Sequence, residues 1–238
     1  MKKLSLSVLV VSGADLLIRA FFVTLPQVAT DLIEINPEKP SEEALERAAT
    51  AVAKGKVVAI PTDALYTLIA DPFNLRAVSQ VFLAKGRESN RSLPLLVSDM
   101  MMVEDLSREI SNRFYLLARR FWPGALTIIL PAAKVPLKVT GNTGRLAVRQ
   151  SPSAVANGII ERLGRPVIST SANISGAPTC HSGIEVFGTM DGRVDLVLDG
   201  GVCTGEGAST VDITEPYWQM IKEGAVKEKD IADCLQNS

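Results

Sequence analysis

The sequence predicts an α/β fold: a single-domain, twisted mixed parallel/antiparallel sheet with flanking helices. Three observations lead there. Short apolar runs of buried-strand length recur along the chain, amphipathic stretches with helical spacing alternate with them, and some strand candidates follow one another too directly for every pair to be parallel. At 238 residues and 47% hydrophobic content the chain is ample for one core.

The first thirty-odd residues differ in character from the rest. "MKKLSLSVLVV" resembles the start of a secretory or transit signal, but Asp15 and Arg19 interrupt its continuation. A structural extension is therefore expected over residues 1–34, with the compact domain over 35–238. No segment is apolar for the roughly 18 residues that a membrane-spanning helix needs.

The domain opens with a helix in "PSEEALERAATAVAKG". Ser41 suits its N-cap, Glu42 and Glu43 its positive end and Gly55 its stop. "KVVAIP" (56–61) then reads as a buried strand and "NLRAVSQVFLAK" (74–85) as a helix. "LPLLV" (93–97) reads as a strand, "SREISNRFYLLARRFW" (107–122) as a helix and "ALTIILP" (125–131) as a strand. After a looser "KVPLKVTGNTG" come "RLAVRQ" (145–150) as a strand and "SAVANGIIERLG" (153–164) as a helix. "PVIST" (166–170), "VDLVLD" (194–199) and "STVDIT" (209–214) read as strands, and "KEKDIADCLQ" (227–236) as a closing helix.

Charge and composition exclude several function classes. Lys+Arg 25 against Asp+Glu 26 leaves a formal net charge of -1, so any anion site must be local rather than a basic coat. Three cysteines without a C-x-x-C pair predict reduced thiols and a cytoplasmic setting, or an organellar one if the extension is a transit peptide. One histidine, His181, in the loop-like "GAPTCHSG", argues against a histidine-rich metal site, and no metal ligands are assigned. There is no P-loop and no G-x-G-x-x-G, so a nucleotide would be bound by another design.

Ligands of α/β sheets collect where loops leave strand ends, and three polar segments lie there. "IPTDALYTL" runs a buried strand into Thr62 and Asp63, which reads equally as a turn with an Asp helix cap. "FLAKGRESNRSLPLLV" places Lys85, Arg87 and Arg91 just before an apolar strand, where a solvated charge run is the ordinary reading. "PVISTSANISG" lines up Ser169, Thr170, Ser171, Asn173 and Ser175, small donors able to approach a polyanion, or simply a Ser/Asn turn.

Taken in order, "PTDALYTL", "KGR" with "LPLLV", "FWPGALTIIL", "AVR", "STSANISG", "DGG" and "STVDIT" resemble the YrdC/TsaC family of threonylcarbamoyl-adenylate synthases. The resemblance spans roughly residues 40 to 225. It implies an open basic cavity in a single α/β domain. The implied reaction converts L-threonine, bicarbonate and ATP, with Mg2+, to threonylcarbamoyl-AMP and pyrophosphate. The product would serve a downstream tRNA threonylcarbamoyl transferase that makes N6-threonylcarbamoyladenosine.

By motif position, the resemblance places Lys85 on the ATP phosphates and Arg87 on phosphate or the threonine carboxylate. Thr127, Ser169, Ser171 and Asn173 would contact the nucleotide. Thr62 and Ser209 would contact the threonine moiety, Arg149 its carboxylate or carbamate, and Tyr66 would shape the pocket. The chain departs from the family pattern at Ala64 and Thr67, at Gln150 and Ser151, and at Lys222 and Glu223. A noncatalytic relative binding tRNA or double-stranded RNA is the alternative, favoured by these departures. A carbamoyl-transfer module like that of hydrogenase-maturation proteins would need cysteine-rich zinc segments that this chain lacks.

Overall fold

The computed structural model describes residues 29–236. Along the chain the elements are β1 (Asp31–Glu34), α1 (Glu42–Ala53), β2 (Val58–Ile60), β3 (Thr67–Ile69), α2 (Leu75–Lys85), β4 (Leu95–Val97) and α3 (Met100–Leu106). There follow α4 (Asn112–Phe121), β5 (Leu126–Pro131), α5 (Leu137–Thr140), β6 (Arg145–Gln150), α6 (Ala154–Leu163), β7 (Val167–Ile168) and β8 (Thr170–Ser171). The chain closes with α7 (Gly183–Met190), β9 (Leu196–Asp199), β10 (Ser209–Asp212), β11 (Gln219–Lys222) and α8 (Glu228–Gln236).

Pairing is mixed, as expected, but it forms two ladders rather than one sheet. The orders are β1-β9-β2-β3-β8 and β11-β10-β5-β6-β4-β7. The predicted strand 166–170 is where they meet. β7 pairs with β4 in one ladder and β8 with β3 in the other, so the chain changes ladder at Ser169. Two backbone hydrogen bonds hold the crossing, Ile168 N–H to the Ala70 carbonyl at 2.9 Å and Ser169 N–H to the Pro94 carbonyl at 2.7 Å.

The local signals act as their chemistry requires. Ser41 Oγ accepts the Ala44 N–H at 3.2 Å at the start of α1, and the buried face Leu45, Ala48, Ala49 and Val52 joins Val155, Ile159 and Ile160 of α6 in one core. Asn74 caps α2 in the same way. At the other end of α2, Gly86 adopts φ 55 and ψ 37, so that its N–H reaches Leu83 and the Arg87 N–H reaches Phe82. That is a left-handed helix stop, and it ends α2 at Lys85.

Several elements differ from the sequence reading. The helix expected over 107–122 begins only at Asn112. Ser107 is bridged to Ala132 and donates to the Pro131 carbonyl, and Glu109 takes φ 53. The preceding α3, capped by Asp99, was not expected, because a single turn or two of "MMMVEDL" carries no clear periodicity. β3, α7 and β11 were likewise absent from the reading. β1, on the N-terminal side of the expected boundary at residue 35, pairs in parallel with β9. The leader-like segment lies outside the described residues.

Replacing Gly86 by Ala places a Cβ in a left-handed conformation, which costs about 1–2 kcal/mol. Urea unfolding of Gly86→Ala is expected to show that loss, and an unchanged midpoint would show that the α2 stop does not depend on glycine.

Candidate functional site

α2 delivers Lys85 into the interior at its last residue, where the side chain is buried. An ammonium taken out of water needs acceptors for its three N–H groups. The Ser/Asn segment supplies them: Nζ lies 2.5 Å from the Ser171 carbonyl, 2.9 Å from the Asn173 carbonyl and 3.1 Å from Asn173 Oδ1. Ser171 Oγ donates to Asn173 Oδ1 at 2.7 Å, Asn173 Nδ2 donates to the Ala177 carbonyl at 2.6 Å, and Ser175 N–H reaches back to the Lys85 carbonyl at 2.8 Å. Burial, with the nearby Arg87, lowers the Lys85 pKa to about 8.

Arg87, half-buried one residue past the helix stop, has its pKa lowered by burial and by Arg91. No carboxylate pairs with Lys85, Arg87 or Arg91 among the described residues. Like charges held together without counter-ions are stabilised by an added anion. Of the three cations in this segment Lys85 is buried, Arg87 half-buried and Arg91 exposed.

The second group forms on β5 and β6. Leu126, Ile128 and Val148 enter the main core, so strand alternation turns Thr127 and Arg149 to the opposite face. Thr127 is buried there. Arg149 is held from two sides: Nε donates to the Gly124 carbonyl at 2.8 Å, and Nη2 is paired with Asp63 Oδ2. Burial lowers the Arg149 pKa, and the Asp63 charge opposes that shift. Ser151 Oγ donates to the other Asp63 oxygen at 2.5 Å.

Asp63 was readable as a helix cap, but β3 rather than a helix follows it. The loop that carries it is built on Thr62, whose Oγ1 donates to the Leu65 carbonyl at 2.7 Å and accepts the Ala64 and Leu65 N–H groups. Gly205 crosses this loop so closely that a Cβ would lie 2.1 Å from the Asp63 carbonyl oxygen, a contact only glycine permits. The Tyr66 ring is fully buried. Its hydroxyl donates toward the Gly201 carbonyl at 2.8 Å, accepts the Gly200 N–H at 2.9 Å and lies 3.2 Å from Asp199 Oδ1; burial raises its pKa.

The two groups are neighbours. Thr67 of β3 pairs with Ser171 of β8, and the Ala172 N–H donates to the Tyr66 carbonyl at 2.9 Å. One short stretch of ladder therefore joins the Lys85, Ser171 and Asn173 cradle to the Thr62, Asp63 and Arg149 cluster. Ser169 lies beside it at the crossing of the ladders. Ser209 stands apart in its bonding: its hydroxyl is fully buried, donates to the Val226 carbonyl at 2.6 Å and accepts from Gly224 and Val226, so it ties the segment after β11 to β10.

Sequence reading left two participants out of the site. Asp63 had the signal of a carboxylate after a buried strand, whereas Ser151 had none beyond adjacency to Arg149. Cys203, whose thiol lies beside the Thr62 N–H and has its pKa raised by burial, is a third neighbour without a sequence signal. A cavity of about 360 Å³ lined by Phe73, Met102, Leu106 and Arg165 contains none of the expected site residues.

Residues 50–224 match the Sua5/YciO/YrdC family model, described as "Telomere recombination". The threonylcarbamoyl-AMP synthase of Pyrococcus abyssi is 34% identical over 200 residues, covering 83% of this chain and 59% of the relative. That of Bacillus subtilis is 32% identical over 191 residues, covering 79% of this chain and 55% of the relative. The chain thus spans little more than half the length of these two proteins. A crystal structure of P. abyssi Sua5 complexed with L-threonine superposes with a TM-score of 0.83 at 33% identity, covering 87% of this chain and 61% of that one. The match along three-quarters of the chain, with the shared two-ladder fold, makes this protein a member of the Sua5/YciO/YrdC family.

Proposed function

We propose that the chain is an L-threonylcarbamoyladenylate synthase, a nucleotidyltransferase that joins L-threonine, bicarbonate and ATP into threonylcarbamoyl-AMP and pyrophosphate. The supporting observation is the short ladder that links the Lys85 and Arg87 cations, which have no paired carboxylate among the described residues, to the buried guanidinium of Arg149. One suits a triphosphate and the other a carboxylate. Relatives named for this activity and a neighbour solved with L-threonine support the same reading.

In this reading Lys85 and Arg87 face the phosphates, with Ser169, Ser171, Asn173 and Thr127 around the nucleotide. Arg149 and Thr62 orient the threonine, Tyr66 supports their loop through its carbonyl and hydroxyl, and Ser209 fixes the border of the threonine pocket. The neutral amine of threonine attacks the carbon of bicarbonate, forming the N–C bond of the carbamate as water leaves with the amine proton, so no protein base is required. A carbamate oxygen then attacks the α-phosphorus, forming the new O–P bond as the bond to pyrophosphate breaks. Positioning and charge neutralisation carry such a step. A cation about 4 Å from a phosphate charge contributes roughly 4 kcal/mol at an effective dielectric near 20.

Among the described residues no three His, Cys, Asp or Glu side chains gather into a metal cage. In this reading Mg2+ enters as the counter-ion of the triphosphate. On the same reading an open basic cavity lies between the two groups, and the product passes to a tRNA threonylcarbamoyl transferase in the cytoplasm. No helix among the described residues is long and apolar enough to cross a membrane.

The purified chain is expected to release pyrophosphate only when threonine, bicarbonate and ATP are all present. Lys85→Ala is expected to lower that rate about 100-fold or more, the scale for losing a charge partner of the transition state. A folded wild-type chain without threonine-dependent pyrophosphate release overturns the synthase reading, and salt-sensitive tRNA binding in its place would favour the RNA-binding one.

A pH test is separate from turnover. Lys85 is largely neutral above its value of about 8 in the free chain, and a neighbouring triphosphate raises that value. ATP binding at pH 9 is therefore expected to take up a proton, and at pH 6.5 Lys85 contributes none. Calorimetry in buffers of different ionisation enthalpy reads this directly. Equal uptake by wild type and Lys85→Met at pH 9 would remove Lys85 from the phosphate site.

A further inference from the structure

We propose that Asp63, braced by Ser151, is the positioning residue that aims Arg149 at the carboxylate of the amino-acid substrate. The inference rests on the synthase reading for the identity of that substrate, and on geometry alone for the aiming.

A guanidinium presents five N–H groups in a rigid plane, so whichever edge the protein holds decides which edge a ligand meets. Arg149 has its Nε held by the Gly124 carbonyl and one side of Nη2 held by Asp63. Nη1 has no acceptor among the described residues. The side-chain atoms buried without a partner among those residues are Asn157 Oδ1 and Arg165 Nε. Nη1 of Arg149 is not one of them, so this nitrogen at the unheld edge keeps solvent-accessible surface. A two-oxygen anion arriving there meets the remaining fork.

Asp63 can hold this aim because it is held itself. Its second oxygen accepts the Ser151 hydroxyl at 2.5 Å, and the Ser153 N–H donates to Ser151 Oγ at 3.1 Å. Its backbone is pressed by Gly205 and shaped by the Thr62 turn. The ion pair is also poorly exposed, with side-chain exposures of 9% for Arg149 and 23% for Asp63, so water competes weakly for it. An exposed pair of the same residues would aim nothing. Asp63 touches no substrate in this arrangement and acts through Arg149.

Steady-state kinetics and NMR of the full chain test the proposal together. Asp63→Asn keeps the shape of the side chain and removes its charge; Ser151→Ala removes the brace. Both are expected to raise the threonine KM, by about 10- to 100-fold for Asp63→Asn and less for Ser151→Ala, with the ATP KM unchanged. Ser151→Thr, which keeps the hydroxyl, is expected to restore the value.

In wild type, the Arg149 Nη2–H resonances, assigned by their loss in Arg149→Lys, are expected to be protected from exchange by the Asp63 pair, and Asp63→Asn to remove that protection. An unchanged threonine KM or an unchanged Arg149 resonance in Asp63→Asn overturns the proposal. So does an equal rise of both KM values, which marks a general loss of structure. If wild type shows no threonine-dependent turnover while Asp63→Asn still frees the Arg149 resonance, the synthase reading fails and the aiming of Arg149 stands.

Discussion

A buried ammonium with three N–H groups organises the centre of this protein. Lys85 leaves α2 at a left-handed stop and enters the interior, where two main-chain carbonyls, one amide oxygen and, at longer range, the Ser171 hydroxyl replace its hydration. Those acceptors come from Ser171 and Asn173, just past the point where the chain passes from one ladder to the other. The end of a helix, the crossing of two ladders and a cationic centre are thereby one piece of structure. A desolvated charge of this kind is stable only while every acceptor stays in place, which ties the order of the Ser/Asn loop to the presence of the cation.

The guanidinium of Arg149 repeats the principle on the neighbouring face, with a carboxylate in place of carbonyls. Asp63 offsets the desolvation of Arg149 and leaves part of its fork open. The two centres therefore differ in character. Arg87 lies near Lys85 and Arg91 near Arg87, with no carboxylate paired to them among the described residues, whereas Arg149 is paired with Asp63. In the proposed function the highly charged part of the ligand goes to the first group and a singly charged carboxylate to the second. That asymmetry is the physical content of the proposed division between triphosphate and amino acid.

Periodicity and capping made most of the central elements legible. β6 is found over the predicted residues 145–150, and α2 and α6 end at the glycines that mark their stops. Elements of three or four residues, such as β3 and β11, were not legible, since so short a run has no period of its own and becomes a strand only when a partner supplies the ladder. Glu109 illustrates the same limit in reverse: its helix-compatible surroundings gave way to a bridge between Ser107 and Ala132, residues 25 positions apart. In the site, Lys85, Arg87 and the Ser/Asn segment were visible as clusters of one chemistry. Ser151 was not, because its role depends on a carboxylate 88 residues away.

By itself the sequence determined the α/β class, the helix start at Ser41, and the residue types of the cationic and hydroxyl-rich segments, because these follow from local periodicity, capping and charge. Only the tertiary structure decided that the strands divide into two ladders at Ser169. It alone decided that Lys85 is satisfied by Ser171 and Asn173, that Ser209 is consumed in tying down residues 224–226, and that Asp63 faces Arg149 rather than capping a helix. The physical reason is common to all four: each depends on which distant group satisfies a buried hydrogen-bonding or charged atom, and chain folding rather than local spacing selects that partner.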